Sequence, residues 1–192
     1  MIENLKEYKI VLASNSPRRK ELLKGLEIDF EVITKNIDES YPNSLLAEKV
    51  PEYIAQKKAD AMKNLLDERT IVITADTVVI VDKEILGKPH DKEDAYKMLS
   101  KLSSRTHIVT TGVVISSQRK NVSFSVSTEV TFAPLTSEEI EHYLEVYKPY
   151  DKAGSYGIQE WSGYIGIEKI NGSYFNVMGL PVQRLYRELI KF

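Results

Sequence analysis

Hydrophobic positions along this chain come in two patterns, short unbroken aliphatic runs and stripes at helical spacing, which together predict an α/β fold. The first run, Ile10-Val11-Leu12-Ala13, has the unalternated character of a strand covered on both faces. Behind it, residues 20–24 read as a helix: Ser16 is placed to cap it, Pro17 to fill its first position, and Gly25 to stop it at C′. Residues 30–33 form a second short run leading into the acidic loop 36–40. Pro51 opens a helix expected to reach about Leu66, with Ile54, Met62 and Leu65 inward and either Lys57 or Lys58 turned from water. The most apolar stretch, residues 71–81, predicts a third strand, closed by a turn at Asp82 and Lys83.

Further on, Asp91 and Asp94 mark a helix start, and Ala95, Met98, Leu99 and Leu102 share one stripe. Residues 107–116 and 122–133 predict two strands joined by the polar turn 117–121. The second alternates at Val122, Phe124, Val126, Val130 and Phe132, as an antiparallel strand with one covered face should. Thr136 with Glu139 predicts a capping box for a helix ending near Pro149. Residues 151–163 are glycine-rich and polar, a strand is expected over about 164–170, and residues 176–181 lead to a terminal helix with Leu185, Leu189 and Ile190. The expectation is a single α/β domain over residues 1–192, with a mixed, partly antiparallel sheet flanked by helices.

Composition sharpens this mainly by exclusion. A chain of 192 residues suffices for one domain with a substantial core. A net charge of −2 gives no support to nucleic acid or a membrane surface as partner, so an anion must be met by a local cationic cluster. With no cysteine there is no disulfide, thiolate metal site or Cys nucleophile. Three histidines make zinc a poor fit, whereas carboxylates suit magnesium or manganese. Residues 1–7 lack the apolar core of a signal peptide and no run is long enough to span a membrane, so a cytoplasmic location is expected.

The candidate chemistry begins at Ser14-Asn15-Ser16-Pro17-Arg18-Arg19. Two arginines in a helix's first turn oppose its dipole, a mismatch relieved when an anion sits there among hydroxyls, free N–H groups and guanidinium donors. Asp76 lies inside a β-branched run, where an ionised carboxylate needs a partner or a metal. Glu39 offers a second carboxylate, and Lys58 and Lys88 offer cations. The loop through Asp151, Lys152 and Gln159 suits close wrapping of a ligand, with the Gln159 amide able to meet a base edge. The set points to a nucleoside polyphosphate and water-driven phosphoanhydride cleavage.

In order, Leu12-Ala13-Ser14-x-Ser16-Pro17-Arg18-Arg19-x-Glu21-Leu22-Leu23, Asp38-Glu39, Lys58-Ala59, Ala75-Asp76-Thr77-Val78-Val79, Leu86-Gly87-Lys88-Pro89, Asp151-Lys152-Ala153-Gly154-x-Tyr156-Gly157-Ile158-Gln159 and Asn176-Val177-x-Gly179-Leu180-Pro181 resemble the Maf family of nucleoside triphosphate pyrophosphatases. The resemblance implies an inosine-triphosphatase-like fold, hydrolysis to a monophosphate and pyrophosphate, a divalent cation (Mg2+ or Mn2+), a cytoplasmic setting and a homodimer. It places the proton acceptor at Asp76, and it marks the branch acting on dTTP and UTP by Arg18, Thr77 and Gln159. Lys148, where an acid is common, and Met178, where Val is usual, depart from the pattern.

The expected division of labour follows. Arg18, Arg19, Lys58 and Lys88, with Ser14, Ser16, Thr77, Lys152 and Gln159, bind the nucleotide; Glu39 and Asp76 place the metal; Asp76 primes a water for attack on the α-phosphorus. Nucleotidyltransfer is disfavoured because Ser14-Asn15-Ser16-Pro17 lacks a glycine-rich loop, and an aspartyl-phosphate mechanism because Val78 stands where a second Asp is needed. The alternative is a nucleotide-binding regulator of septum formation without turnover.

Overall fold

The computed structural model describes residues 3–192; Met1 and Ile2, the start of the stretch read as lacking a leader, lie outside the described residues. Local chemistry sets most of the elements. Strand β1 (Lys9–Leu12) runs to a Ser16 cap and helix α1 (Pro17–Lys24). Gly25 does not reverse the chain: it stays right-handed at φ −63°. Tighter bonds from Leu26 N–H to Leu23 O and Glu27 N–H to Lys24 O carry the turn onward, and the left-handed residue is Glu27 at φ 56°. Strand β2 is only Glu31–Val32. Helix α2 is Val50–Ala61, shorter than expected, and a 3-10 turn over Lys63–Leu65 replaces its final turn.

Strand β3 (Thr70–Val81) is unbroken through Asp76 and turns at Asp82 and Lys83, both at positive φ as a type I′ hairpin requires, into β4 (Glu84–Leu86). Helix α3 (Lys92–Leu102) starts on the Asp91 cap. Strands β5 (Thr106–Ser116) and β6 (Asn121–Phe132) follow, then α4 (Ser137–Tyr147) with the full Thr136–Glu139 capping box and a left-handed Lys148 at its end. Where glycine-rich loop and early strand were expected, the chain forms α5 (Trp161–Gly166), so β7 begins later, at Ile167–Asn171. Bonds from Gly163 N–H and Tyr164 N–H to Glu160 O wind this segment into a helix. Helices α6 (Tyr174–Met178) and α7 (Val182–Leu189) complete the chain.

The sheet is mixed, in the order β2-β1-β3-β5-β6-β7 with β4 on β3, the α/β class that the hydrophobic pattern predicts. Leu12 lies opposite Val32 and Ile73 in parallel register, while β4 and β7 pair antiparallel to β3 and β6. The chain divides into two compact units, and β3, β5 and β6 contribute residues to both.

One unit comprises residues up to Asp76, Thr111–Val126 and Gly179–Phe192. Here Val11, Ala13, Met62 and Val72 pack together, and Ala55 and Ala59 of α2 lie on Val114. Small side chains let α2 approach β5 closely. The second unit comprises Thr77–Thr110 and Ser127–Met178. Its core joins Val79, Leu86, Leu99, Val130, Phe132, Tyr143 and Leu144, with Tyr156 inserted from the loop before α5.

Within that second core the His107 ring meets Phe132 and Tyr156 edge-on, and its Nε2 lies 2.8 Å from the Tyr156 hydroxyl. Burial holds the imidazole down to about 4, against an ordinary 6.5. Below pH 6.5 the unfolded chain therefore takes up a proton that the folded core refuses, and stability falls as pH drops toward 4. A single group with this difference contributes about 3 kcal/mol, present above pH 6.5 and lost through the acid window. Urea titrations of the wild type and His107→Gln at pH 6.5 and 4.5 are expected to show a shallower acid loss in the variant. Equal losses would mean that His107 does not titrate this way.

Candidate active site

Several of the residues singled out in the sequence meet within the first unit. The Ser16 hydroxyl accepts from Arg19 N–H at 3.4 Å, and Ser16 N–H donates to the Ser14 hydroxyl at 3.3 Å, which shapes the turn into α1. The Arg19 side chain folds back on the same turn. Its Nε donates to Gly179 O at 2.8 Å, and Nη1 donates to Ala75 O at 3.0 Å and to the Ser14 hydroxyl at 3.3 Å. Arg19 thus fastens the β1–α1 turn to the carbonyl preceding Asp76. Burial lowers its pKa; Asp76 and Glu39 oppose that shift and Arg18 adds to it, so all four charges are felt at one place.

Helix α2 delivers Lys58. With Ala55 and Ala59 against β5, and the Thr74 hydroxyl donating to Ala55 O at 2.7 Å, the neighbouring face of the helix presents Lys58 to β3. Its Nζ stands 2.8 Å from Asp76 Oδ1 and 2.9 Å from Glu39 Oε1. Of the adjacent lysines, Lys58 is the inward one, its side chain 17% exposed against 30% for Lys57, which pairs with Asp38. Asp76 is itself largely covered. Burial pushes its carboxyl above the usual range, Lys58 and Arg19 pull it back, and Glu39 raises it again. Burial together with opposing charges of this kind marks Asp76 as a functional-site candidate.

In the second unit, Thr77 follows Asp76 along β3 and is half-buried, while Lys88 is exposed after β4. Gly154 N–H donates to Gly87 O at 3.0 Å, which brings the 151–160 loop beside Lys88. Gln159 is exposed on that loop. Lys152 is not. Its buried ammonium lies 2.8 Å from Asp151 Oδ1 and 2.9 Å from Glu160 Oε1. Sequence reasoning missed Glu160 and its neighbour Tyr143: the first reads as one more polar loop residue, the second as the core face of an amphipathic helix. The only available signal was that a carboxylate follows Gln159 directly.

Comparisons with known proteins identify the family. A family model described as Maf-like protein matches residues 9–192. A dTTP/UTP pyrophosphatase of Phocaeicola vulgatus is 60% identical over 192 residues, covering 100% of both chains. Another, of Parabacteroides distasonis, is 59% identical over 193 residues, again covering 100% of both. Among solved structures, the Staphylococcus aureus Ham1 protein aligns over 65% of this chain and 72% of its own, at 20% identity and a TM-score of 0.49.

Proposed function

The chain belongs to the Maf-like protein family, and from that premise we propose that it is a nucleoside triphosphate pyrophosphatase that cleaves dTTP and UTP to the monophosphate and pyrophosphate. One observation carries the chemistry: a buried carboxylate, Asp76, held between Lys58 and the charge of Arg19. In this reading Arg18, Arg19, Lys58 and Lys88, with Ser14, Ser16 and Thr77, bind the polyphosphate. Asp76 accepts a proton from the water that attacks the α-phosphorus, and pyrophosphate leaves. Gln159 reads the edge of the base through its paired donor and acceptor. The chain works as a homodimer in the cytoplasm, without nucleic acid or membrane. The family resemblance supports the dimer and the setting; among the described residues no helix is long and apolar enough to span a bilayer.

A divalent cation fits the residues present, in part. Glu39 and Asp76 both approach the Lys58 ammonium within 3 Å, so two hard oxygen donors converge on one cationic position. Among the described residues no group of three or more such ligands occurs, so the phosphates would supply the remaining oxygens. When bound, Mg2+ or Mn2+ would neutralise charge on the triphosphate and polarise its oxygens.

The decisive assay incubates the protein with UTP, dTTP and the purine triphosphates in magnesium and resolves the products. UMP or dTMP with pyrophosphate, abolished by EDTA, is expected. Orthophosphate would indicate a phosphatase, and binding without products would restore the regulator reading, which the names of the relatives do not favour.

A further inference from the structure

The 157–160 turn is gripped from both ends. Glu160 N–H donates to Gly157 O at 3.0 Å, which leaves Ile158 and Gln159 as the two central residues of a tight turn. Gly157 N–H donates to the Tyr143 hydroxyl at 3.0 Å, and the Ser162 hydroxyl donates to Gly157 O at 3.2 Å. The Tyr143 hydroxyl donates in turn to Glu160 Oε2, while the other carboxylate oxygen of Glu160 sits 2.9 Å from Lys152 Nζ. The carboxyl lies against Gly157: a Cβ there would stand 2.7 Å from Glu160 Cδ, so a larger residue would displace the carboxyl. Tyr143 is fixed in the second unit's core and its ring stacks on Tyr147, so the clamp is anchored in helix α4 rather than in the loop.

From this arrangement we propose that Glu160, Tyr143 and Lys152 are positioning residues that hold the 157–160 turn, and through it the amide of Gln159, in the orientation that discriminates the base. Lys152 then serves the nucleotide through Glu160 and not by touching phosphate. The proposal rests on the reading of Gln159 as the base-reading residue. A loop free to tilt by a fraction of an ångström loses the directional hydrogen bonds on which an amide depends, whereas the polyphosphate end keeps its own grip.

Tyr143→Phe removes one hydroxyl and nothing else. Steady-state kinetics with UTP and GTP are expected to show KM for UTP raised roughly tenfold with kcat nearly unchanged, and the UTP-over-GTP preference reduced by a similar factor. Glu160→Gln and Lys152→Met should do the same, with Lys152→Arg restoring much of the loss. Gln159→Ala provides the reference, and adding Tyr143→Phe to it should bring little further change. If Gln159→Ala abolishes the preference while Tyr143→Phe and Glu160→Gln leave it intact, the clamp is wrong and the base-reading role stands. If Gln159→Ala changes nothing, the base-reading role falls, and the proposal with it. An equal drop in kcat for both nucleotides, or a lowered melting temperature with unchanged preference, would mark a merely structural role and overturn the proposal.

Discussion

Replacing Asp76 by Asn should lower kcat for UTP about a thousandfold while leaving the protein as stable as the wild type or more so. Asparagine keeps the shape and one oxygen able to accept from Lys58, which retains Glu39 as its ionic partner. What disappears is the proton acceptor. The stability side follows from the sign of the shift. Burial raises the folded-state pKa of Asp76 above 3.8, so between the unfolded and folded values the native state holds the extra proton, and stability declines as pH rises through that window. At neutral pH the ionised carboxylate therefore works against folding, and its removal relieves the fold. Turnover and melting temperature should move in opposite directions, the signature of a strained functional group. A variant with near-normal kcat, or with normal binding but a collapsed melting temperature, would remove Asp76 from the base role.

The second large effect lies in packing. Gly112 of β5 faces the first turn of α2 with no room for a methyl: a Cβ would stand 2.2 Å from Glu52 N and 2.4 Å from Glu52 Cα and from Pro51 C. These are backbone atoms, which cannot swing aside. Gly112→Ala must push the helix off the sheet, and it should destabilise the protein by about 3–5 kcal/mol, or prevent soluble expression. Glu52 anchors the same helix end by accepting from the Ser123 and Ser125 hydroxyls, each at 2.8 Å, so those bonds should fail together with the packing. Because α2 carries Lys58, any residual folded fraction should also show weakened turnover. Urea unfolding of the purified variant measures the effect. A loss under 1 kcal/mol would show that the helix can slide without penalty.

How far the sequence foretold this molecule depended on whether the determining interaction was local. The Ser16 cap, Pro17 at the first helical position and the Thr136–Glu139 capping box act within four residues, and each sits where it was read. The aliphatic run through Asp76 became one uninterrupted strand, because β-branched residues with no glycine or proline leave little else to form. The misreadings arise where the deciding partner is distant or the signal weak. Nothing in residues 61–66 announces that α2 ends at Ala61; no glycine or proline stands there. The helix over Trp161–Gly166 hides in a glycine-rich segment because six residues show too little periodicity to register. The sequence offers Arg19 as a donor to an anion, but that one of its bonds goes to Gly179, 160 positions away, no local pattern can encode. Nor does the sequence show that Lys152, expected to bind the nucleotide, pairs with a carboxylate eight residues on, brought round by the turn.

Lys148 ends α4 in a left-handed conformation at φ 48°, and Glu27, Asp82 and Lys83 hold similar angles at other bends. Each is a place where a side chain bears torsional tension that glycine or asparagine would release. The fold therefore carries a reserve of thermal hardening at bends with no part in the proposed chemistry, open to engineering without disturbing Asp76 or the loop that presents Gln159.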